Sequence, residues 1–115
     1  MSKIILFTDS LGAGGAQRQL VGLASLLKDA GHEVSVLTYH KDEFYASFLD
    51  SNDVKHYILP RANGAFKRIA KVCRYIKKEQ PDVLISYQEV PSLIACIAKI
   101  FNPKIKLIVS ERNTT

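Results

Sequence analysis

A chain of 115 residues is long enough for one compact domain and too short for two. Hydrophobic residues make up 47% of the sequence and charged residues 23%, which are the proportions of a globular domain with a buried core. The net charge of +5 fits an anionic ligand, an anionic membrane surface or nucleic acid, and by itself selects none of them.

We expect neither a secretory leader nor a membrane span in this sequence. The first apolar run, KIILF, is too short for the core of a signal peptide. The longest apolar run, SLIACIAKIF, contains Lys99 and is too short to cross a bilayer. We therefore expect a cytoplasmic protein, in which Cys73 and Cys96, which lack the spacing of a metal site, are buried free thiols.

The first half of the chain alternates between strand and helix. Lys3–Thr8 is a continuous apolar run, typical of a strand buried on both faces of a parallel sheet. Apolar residues at helical spacing predict a helix over Ala16–Ala30 that ends at Gly31. The run EVSVLTY, residues 33–39, predicts a second strand, and a short helix is predicted over Asp42–Leu49.

The second half continues this alternation. The predicted elements are a strand at residues 54–59, a helix over Phe66–Lys78, a strand at residues 82–86, a helix from Pro91 to about residue 101, and a strand at residues 106–110. Strands that alternate with helices through short connections predict a doubly wound, Rossmann-like α/β fold. We expect about five parallel strands in the order 3-2-1-4-5, with helices on both faces.

This strand order predicts where a ligand would bind. The chain reverses direction between strands 1 and 4, and ligands of such sheets bind at the carboxyl ends of the strands at that point. Three loops reach this place, at residues 9–15, 86–89 and 110–113. Because the sequence stops at a polar cluster, SERNTT, just past the fifth strand, we expect a truncated domain; a small complete domain is the alternative.

The loop after strand 1 is rich in glycine, with Gly12, Gly14 and Gly15 inside the segment FTDSLGAGGAQRQL. Glycines before a helix N-terminus expose N–H groups that attract phosphate or carboxylate. The dinucleotide fingerprint would need glycine in place of Gln17, and a phosphate loop would need a lysine that this loop lacks. We interpret the segment as an anion-binding loop with Gln17 and Arg18 as candidate contacts; a simple tight turn is the alternative.

Three motifs occur together in one known family. They are GGAQRQLVGLASLLKDAGHEVSVLT in the first helix and second strand, QPDVLISYQ around strand 4, and IVSERN after strand 5. In this order and at these spacings the sequence resembles family-4-type glycosyltransferases, which have the two-domain GT-B fold. The resemblance implies a retaining, hexosyl-type transfer from a nucleotide-sugar donor to a glycan or lipid-linked acceptor, with no cofactor and usually no metal.

The resemblance also implies how the domains are organised. Residues 1–115 correspond to part of the N-terminal, acceptor-side domain, and the C-terminal donor-binding domain is absent from this sequence. Because the reacting groups must be held between two domains, we expect the isolated chain to be inactive.

Four site residues follow from the family pattern. Gly14 and Gly15 match the loop that approaches the donor diphosphate, and Arg112 and Asn113 lie in the S-E-R-N pattern. Arg112 is a candidate anion contact because a guanidinium can hold phosphate with two hydrogen bonds; a structural ion pair with Glu111 or another carboxylate is the alternative.

The catalytic residues are not assigned by the resemblance. Many relatives place a histidine in the loop after strand 4, where this sequence has Ser86, Tyr87, Gln88 and Glu89. Tyr87 and Glu89 are the only candidates that we name for that position.

The helix predicted over Phe66–Lys78 carries a basic face made of Lys67, Lys71, Arg74 and Lys78. One interpretation is a solvated helix face. The other is a patch for anionic lipid or for a lipid-pyrophosphate acceptor, which would place the protein peripherally on the inner face of the cell membrane. We do not expect nucleic acid as a partner, since no aromatic platform accompanies the charges.

Two other functions remain open from the sequence. The first is a non-catalytic, flavodoxin-like nucleotide-binding or signalling module; a receiver domain would need an acidic pair after strand 1, where only Asp9 is present. The second is a sugar-nucleotide epimerase of the same GT-B architecture, which the GGAQR start disfavours.

Overall fold

A computed structural model describes residues 2–9, 15–39, 54–60 and 63–110. The strands are β1 (Lys3–Phe7), β2 (Glu33–Thr38), β3 (Lys55–Ile58), β4 (Val83–Tyr87) and β5 (Lys106–Ser110). The helices are α1 (Gly15–Asp29), α2 (Ala65–Glu79) and α3 (Glu89–Phe101). The short helix predicted over Asp42–Leu49 lies outside the described residues.

The five strands form one parallel sheet in the order β3-β2-β1-β4-β5, as predicted. Strand β1 is central and pairs with β2 on one side and β4 on the other, so that Ile4 lies opposite both Val34 and Val83. Residues 4–7 of β1 are buried on both faces of the sheet, and this explains why their sequence is a continuous apolar run. The Rossmann-like α/β fold is therefore confirmed.

The helices form one layer on each face of the sheet. Ile4 and Leu6 of β1 point into a core cluster beneath α1. Ile5 and Phe7 point the opposite way, into a second cluster that includes buried residues of α2 and α3. Because successive strand side chains alternate between faces, a single apolar strand supplies both cores.

The helix ends follow local chemistry. Gly31 has a φ of 92°, and its N–H donates to the Lys28 carbonyl at 3.0 Å, so it stops α1 as predicted. Gln80 ends α2 in a left-handed conformation, with a φ of 46° and its N–H bonded to the Ile76 carbonyl. Helix α3 starts two residues before Pro91. Proline lacks a backbone N–H, and this is tolerated in a first turn because the N–H groups there have no partner within the helix.

Both cysteines are free thiols, but the prediction that both are buried is wrong. Cys73 of α2 is partly buried, whereas Cys96 of α3 is exposed. Helix α3 is apolar nearly all round, so its sequence does not distinguish the side that faces the sheet from the side that faces outward. None of the helices in the described part of the chain has the length and apolar character that a bilayer crossing requires.

Candidate functional site

The chain reverses direction between β1 and β4, and sheets of this topology bind ligands at the carboxyl ends of these two strands. Strand β1 continues into α1, which covers one face, and β4 continues into α3, which covers the other. The first turns of α1, α2 and α3 all lie at this end of the sheet, because each helix follows directly from a strand end. A ligand at this point would meet helix N-termini, which favour negative charge.

Of the glycine-rich segment, the described part of the chain includes the start of α1. Helix α1 begins at Gly15, and its first turn contains no acidic residue that would offset the positive end of the helix dipole. Arg18 is exposed on α1. Gly14 and the side chain of Gln17 lie outside the described part, so diphosphate binding by Gly14, Gly15, Gln17 and Arg18 stays a prediction.

A cluster that sequence reasoning missed joins the ends of β1 and β2 to the start of α2. The N–H of Tyr39 donates to the carbonyl of Asp9 at 3.1 Å. The guanidinium of Arg68 lies over the Tyr39 ring, 4.6 Å from its centroid. This geometry is a cation–π contact, and it holds the first turn of α2 against the carboxyl end of the sheet.

Tyr39 is a buried tyrosine between opposite charges. Its ring packs against Phe7 at a centroid distance of 5.9 Å. Burial, together with the Asp9 carboxylate, raises the pKa of Tyr39 to about 12, and the Arg68 guanidinium acts in the opposite direction. The hydroxyl therefore stays neutral at physiological pH and cannot serve as an anionic base there.

Tyr75 of α2 has a similarly shifted hydroxyl. Burial raises the pKa of Tyr75 to about 12, with further contributions from Glu79 and Tyr57. A raised pKa means that the folded state holds the proton more tightly than the unfolded state. The resulting contribution to the free energy of unfolding is complete below pH 10 and is lost as the pH rises through 12. We expect each tyrosine to contribute on the order of 1–2 kcal/mol to this pH dependence.

This loss of stability can be measured by urea denaturation followed by circular dichroism. The measurement is repeated from about pH 8 to about pH 12, the range over which tyrosine titrates. The variants Tyr39→Phe and Tyr75→Phe should each flatten the alkaline decline. If the free energy of unfolding of both variants declines with pH as it does in the unmodified chain, the tyrosines do not cause the decline.

The loop after β4 separates the two catalytic candidates. Tyr87 is buried in the core cluster beneath α1, whereas Glu89 is exposed in the first turn of α3. Between them Gln88 has a φ of 76°, a left-handed conformation that costs about 1 kcal/mol or more outside glycine. Below this bend the Ser86 and Ser92 hydroxyls, both buried, lie 3.0 Å apart. Of the two candidates, only Glu89 has a polar side-chain group that is exposed to a ligand.

The loop after β5 is described only as far as Ser110. Arg112 and Asn113 lie outside the described residues, and their assignment to the site stays a prediction. Within residues 2–9, 15–39, 54–60 and 63–110, no group of three histidine, cysteine or acidic side chains could hold a metal ion.

The predicted basic face lies on the outward side of α2. Lys67, Arg74 and Lys78 are exposed and Lys71 is partly buried, on the side opposite the buried Val72 and Ile76. Beside it a shallow depression of about 280 Å³ separates α2 from β3. Its lining residues combine cations with apolar and aromatic side chains: Tyr57, Leu59, Pro60, Lys71, Arg74, Tyr75 and Lys78.

Two stacked aromatic rings form one side of this depression. Tyr57 of β3 and Tyr75 of α2 have centroids 4.7 Å apart and planes inclined by 13°. The nearby Glu79 pairs with Lys3 at 3.3 Å, so its charge is directed to the other end of the sheet. The depression can therefore accept an anionic group next to an apolar one.

Comparison with known proteins identifies the family and agrees with the fold. Residues 13–115 match the family described as Glycosyltransferase Family 4. Over 98% of its length the chain is 33% identical to a Campylobacter jejuni protein named GalNAc-alpha-(1->4)-GalNAc-alpha-(1->3)-diNAcBac-PP-undecaprenol alpha-1,4-N-acetyl-D-galactosaminyltransferase, and it covers 33% of that protein. The chain thus spans about a third of the length of this relative.

Solved structures with the same fold include a glycosyltransferase and the protein HepE. A glycosyltransferase from Rickettsia africae has a TM-score of 0.71 at 18% identity, with 94% of this chain and 29% of that chain covered. HepE from Anabaena, solved in complex with UDP-glucose, has a TM-score of 0.70 at 19% identity, with 93% and 28% covered. At these identities the likeness shows a shared fold. Because the family match extends over nearly the whole sequence, the chain belongs to Glycosyltransferase Family 4 and corresponds to part of a GT-B protein.

Proposed function

We propose that this chain is the N-terminal, acceptor-side part of a retaining glycosyltransferase that moves a hexosyl group from a nucleotide-sugar to a glycan or lipid-linked acceptor. The observation that carries the proposal is the position of α1. This helix begins at Gly15, at the carboxyl end of β1, with a first turn free of acidic residues. Such a helix start can face the diphosphate of a donor that a second domain holds.

The two substrate classes are supported by relatives. HepE was solved with UDP-glucose, and the Campylobacter relative is named for an acceptor linked through diphosphate to undecaprenol. We propose the same classes here, a nucleoside-diphosphate sugar as donor and a lipid-linked glycan as acceptor. An acceptor anchored in a membrane would place the reaction on the cytoplasmic face of that membrane.

The basic face of α2 supports the acceptor assignment. Lys71, Arg74 and Lys78 border a depression whose remaining lining is largely aromatic and apolar. A lipid pyrophosphate presents the matching combination of negative charge and hydrocarbon chain. Cations of this kind contribute on the order of 1 kcal/mol each near an anionic surface, so three or four together can hold such a group.

Replacement of Gly15 by tryptophan tests the proposed donor contact. The bulky side chain would fill the space through which the helix start approaches the diphosphate, so we expect the transfer rate to fall at least about 100-fold. The measurement is sugar transfer from a panel of nucleotide-sugars to a lipid-linked acceptor, by the full-length protein that carries this chain.

The matched control is Gly22→Ala, a glycine in the middle of α1 where an added Cβ meets no atom within 4 Å. This variant should transfer sugar at the normal rate and gain up to about 1 kcal/mol of stability. Unchanged turnover in Gly15→Trp would remove the glycine loop from the mechanism. Sugar transfer by the isolated 115-residue chain would contradict the proposed need for a second domain.

A further inference from the structure

The chain is anchored where the glycine-rich segment follows β1. The N–H of Thr8 donates to the carbonyl of Leu37 at 3.1 Å, and the N–H of Tyr39 donates to the carbonyl of Asp9 at 3.1 Å. These two bonds continue the parallel pairing of β1 and β2 beyond the last residue of each strand. The hydroxyl of Thr8, which is fully buried, also donates to the Asp9 carboxylate at 3.3 Å. Asp9 is therefore held in place immediately before residues 10–14, which precede α1.

This anchor depends on Tyr39, whose ring is held from two directions. Phe7 at the end of β1 packs against it, at a centroid distance of 5.9 Å and an interplanar angle of 59°. From α2 the guanidinium of Arg68 lies 4.6 Å from the ring centroid. Tyr39 is only 8% exposed. Because the ring and the backbone of one residue move together, these contacts also fix the N–H that bonds to Asp9.

Arg68 is placed by the first turn of α2. Its N–H donates to the carbonyl of Gly64 at 3.3 Å, and it lies four residues before Val72, which is fully buried. Residues four apart share one side of a helix, so Arg68 points toward the sheet and not outward with the basic face. Accordingly Arg68 is partly buried, whereas Lys67 beside it is exposed. The core contacts of α2 thus determine where the guanidinium lies.

We propose that Arg68 is a positioning residue of the donor site. It holds the Tyr39 ring, Tyr39 holds the carbonyl of Asp9, and Asp9 sets the point from which the glycine-rich segment runs to Gly15. Arg68 acts through the other two residues and does not itself touch the donor. The inference rests on the proposed function, since the contact between this segment and the donor diphosphate is part of that proposal.

Donor kinetics of the full-length protein that carries this chain test the role of Arg68. The variant Arg68→Met removes the cation, and Arg68→Lys keeps a cation that can lie over the ring. Arg68 belongs to neither buried cluster, so circular dichroism should show an intact fold in both. With the nucleotide-sugar and acceptor that support transfer, we expect Arg68→Met to raise the KM for the donor about tenfold and Arg68→Lys to raise it about threefold or less. The KM for the acceptor and kcat should change by less than about twofold, because a misplaced segment weakens donor binding equally in the ground state and the transition state.

The matched control is Lys77→Met. Lys77 is an exposed cation near the other end of α2, and it belongs neither to the basic face nor to the lining of the depression. Its loss should leave both KM values and kcat unchanged. Hydrogen exchange followed by mass spectrometry, on the same proteins without substrate, measures the hold on Tyr39. The segment that contains Tyr39 should exchange at least about tenfold faster in Arg68→Met and at the normal rate in Lys77→Met.

An unchanged donor KM in the folded Arg68→Met variant overturns the proposal, and so does normal exchange around Tyr39. A loss that appears equally in the KM values of donor and acceptor, or that Arg68→Lys shares in full, shows a purely structural role and also overturns it. Each of these results leaves the transfer reaction of the unmodified protein intact. If the unmodified protein transfers sugar from none of the nucleotide-sugars in the panel, the proposed function fails, and the donor role of Arg68 fails with it.

Discussion

Replacing Phe7 by alanine is expected to lower the free energy of unfolding by about 3–5 kcal/mol, a large part of the stability of a domain this size. Phe7 is fully buried at the end of the central strand, within the cluster beneath α2 and α3. Its ring also supports Tyr39 at 5.9 Å. Alanine would leave a cavity at a point where three elements meet and the surrounding chain can relax only in part.

Urea denaturation followed by circular dichroism measures this effect, and Phe66→Ala is its matched control. The side chain of Phe66 is 89% exposed, so its removal should change stability by about 0.5 kcal/mol or less. Equal losses in the two variants would show that the cluster around Phe7 does not dominate the stability of the fold.

Reversing the charge of Lys67, Lys71, Arg74 and Lys78 to glutamate should weaken binding to anionic vesicles by about a thousandfold. Each cation near such a surface contributes about 1 kcal/mol, and four of them together account for about three powers of ten. None of the four side chains belongs to the buried clusters, so the variant should fold. Sedimentation with vesicles at several salt concentrations measures the loss, which should shrink as salt increases.

A control with the same change in net charge reverses four lysines outside the basic face of α2, at positions 28, 55, 104 and 106. We expect this control to retain most of its vesicle binding. If both variants lose binding equally, the attraction comes from the overall charge of the protein, and the basic face of α2 has no special role.

The sheet could be predicted because its strands carry strong local signals. The apolar run at residues 3–7 is compatible only with a doubly buried strand, and Gly31 marks a helix end that the structure reproduces. The outward side of α3 could not be predicted in the same way. A period of 3.6 residues orients a helix only when apolar and polar sides differ, and from Val90 to Phe101 both sides are apolar.

The candidate site was predictable only in part. Gly15 stands out because a glycine-rich loop before a helix exposes N–H groups, but a simple tight turn uses the same residues, so its binding role stays a prediction. The cluster of Asp9, Tyr39 and Arg68 could not be found from the sequence, since these residues come from three separate segments and meet only once the strand order is known. Tyr87 was a reasonable candidate by position, but its side chain turns into the core, and alternation along β4 alone does not reveal which face holds the ligand.

The central position of β1 has a consequence for biosynthesis. Strand β1 is made first, yet one of its two neighbours is β4, with Ile4 paired to Val83. The ribosome must therefore release the chain at least as far as Val83 before the second edge of β1 finds its partner, and pairing between such distant segments is slow. Until then the nascent chain carries an aliphatic strand with one unpaired edge, and such an edge is prone to pair with other chains.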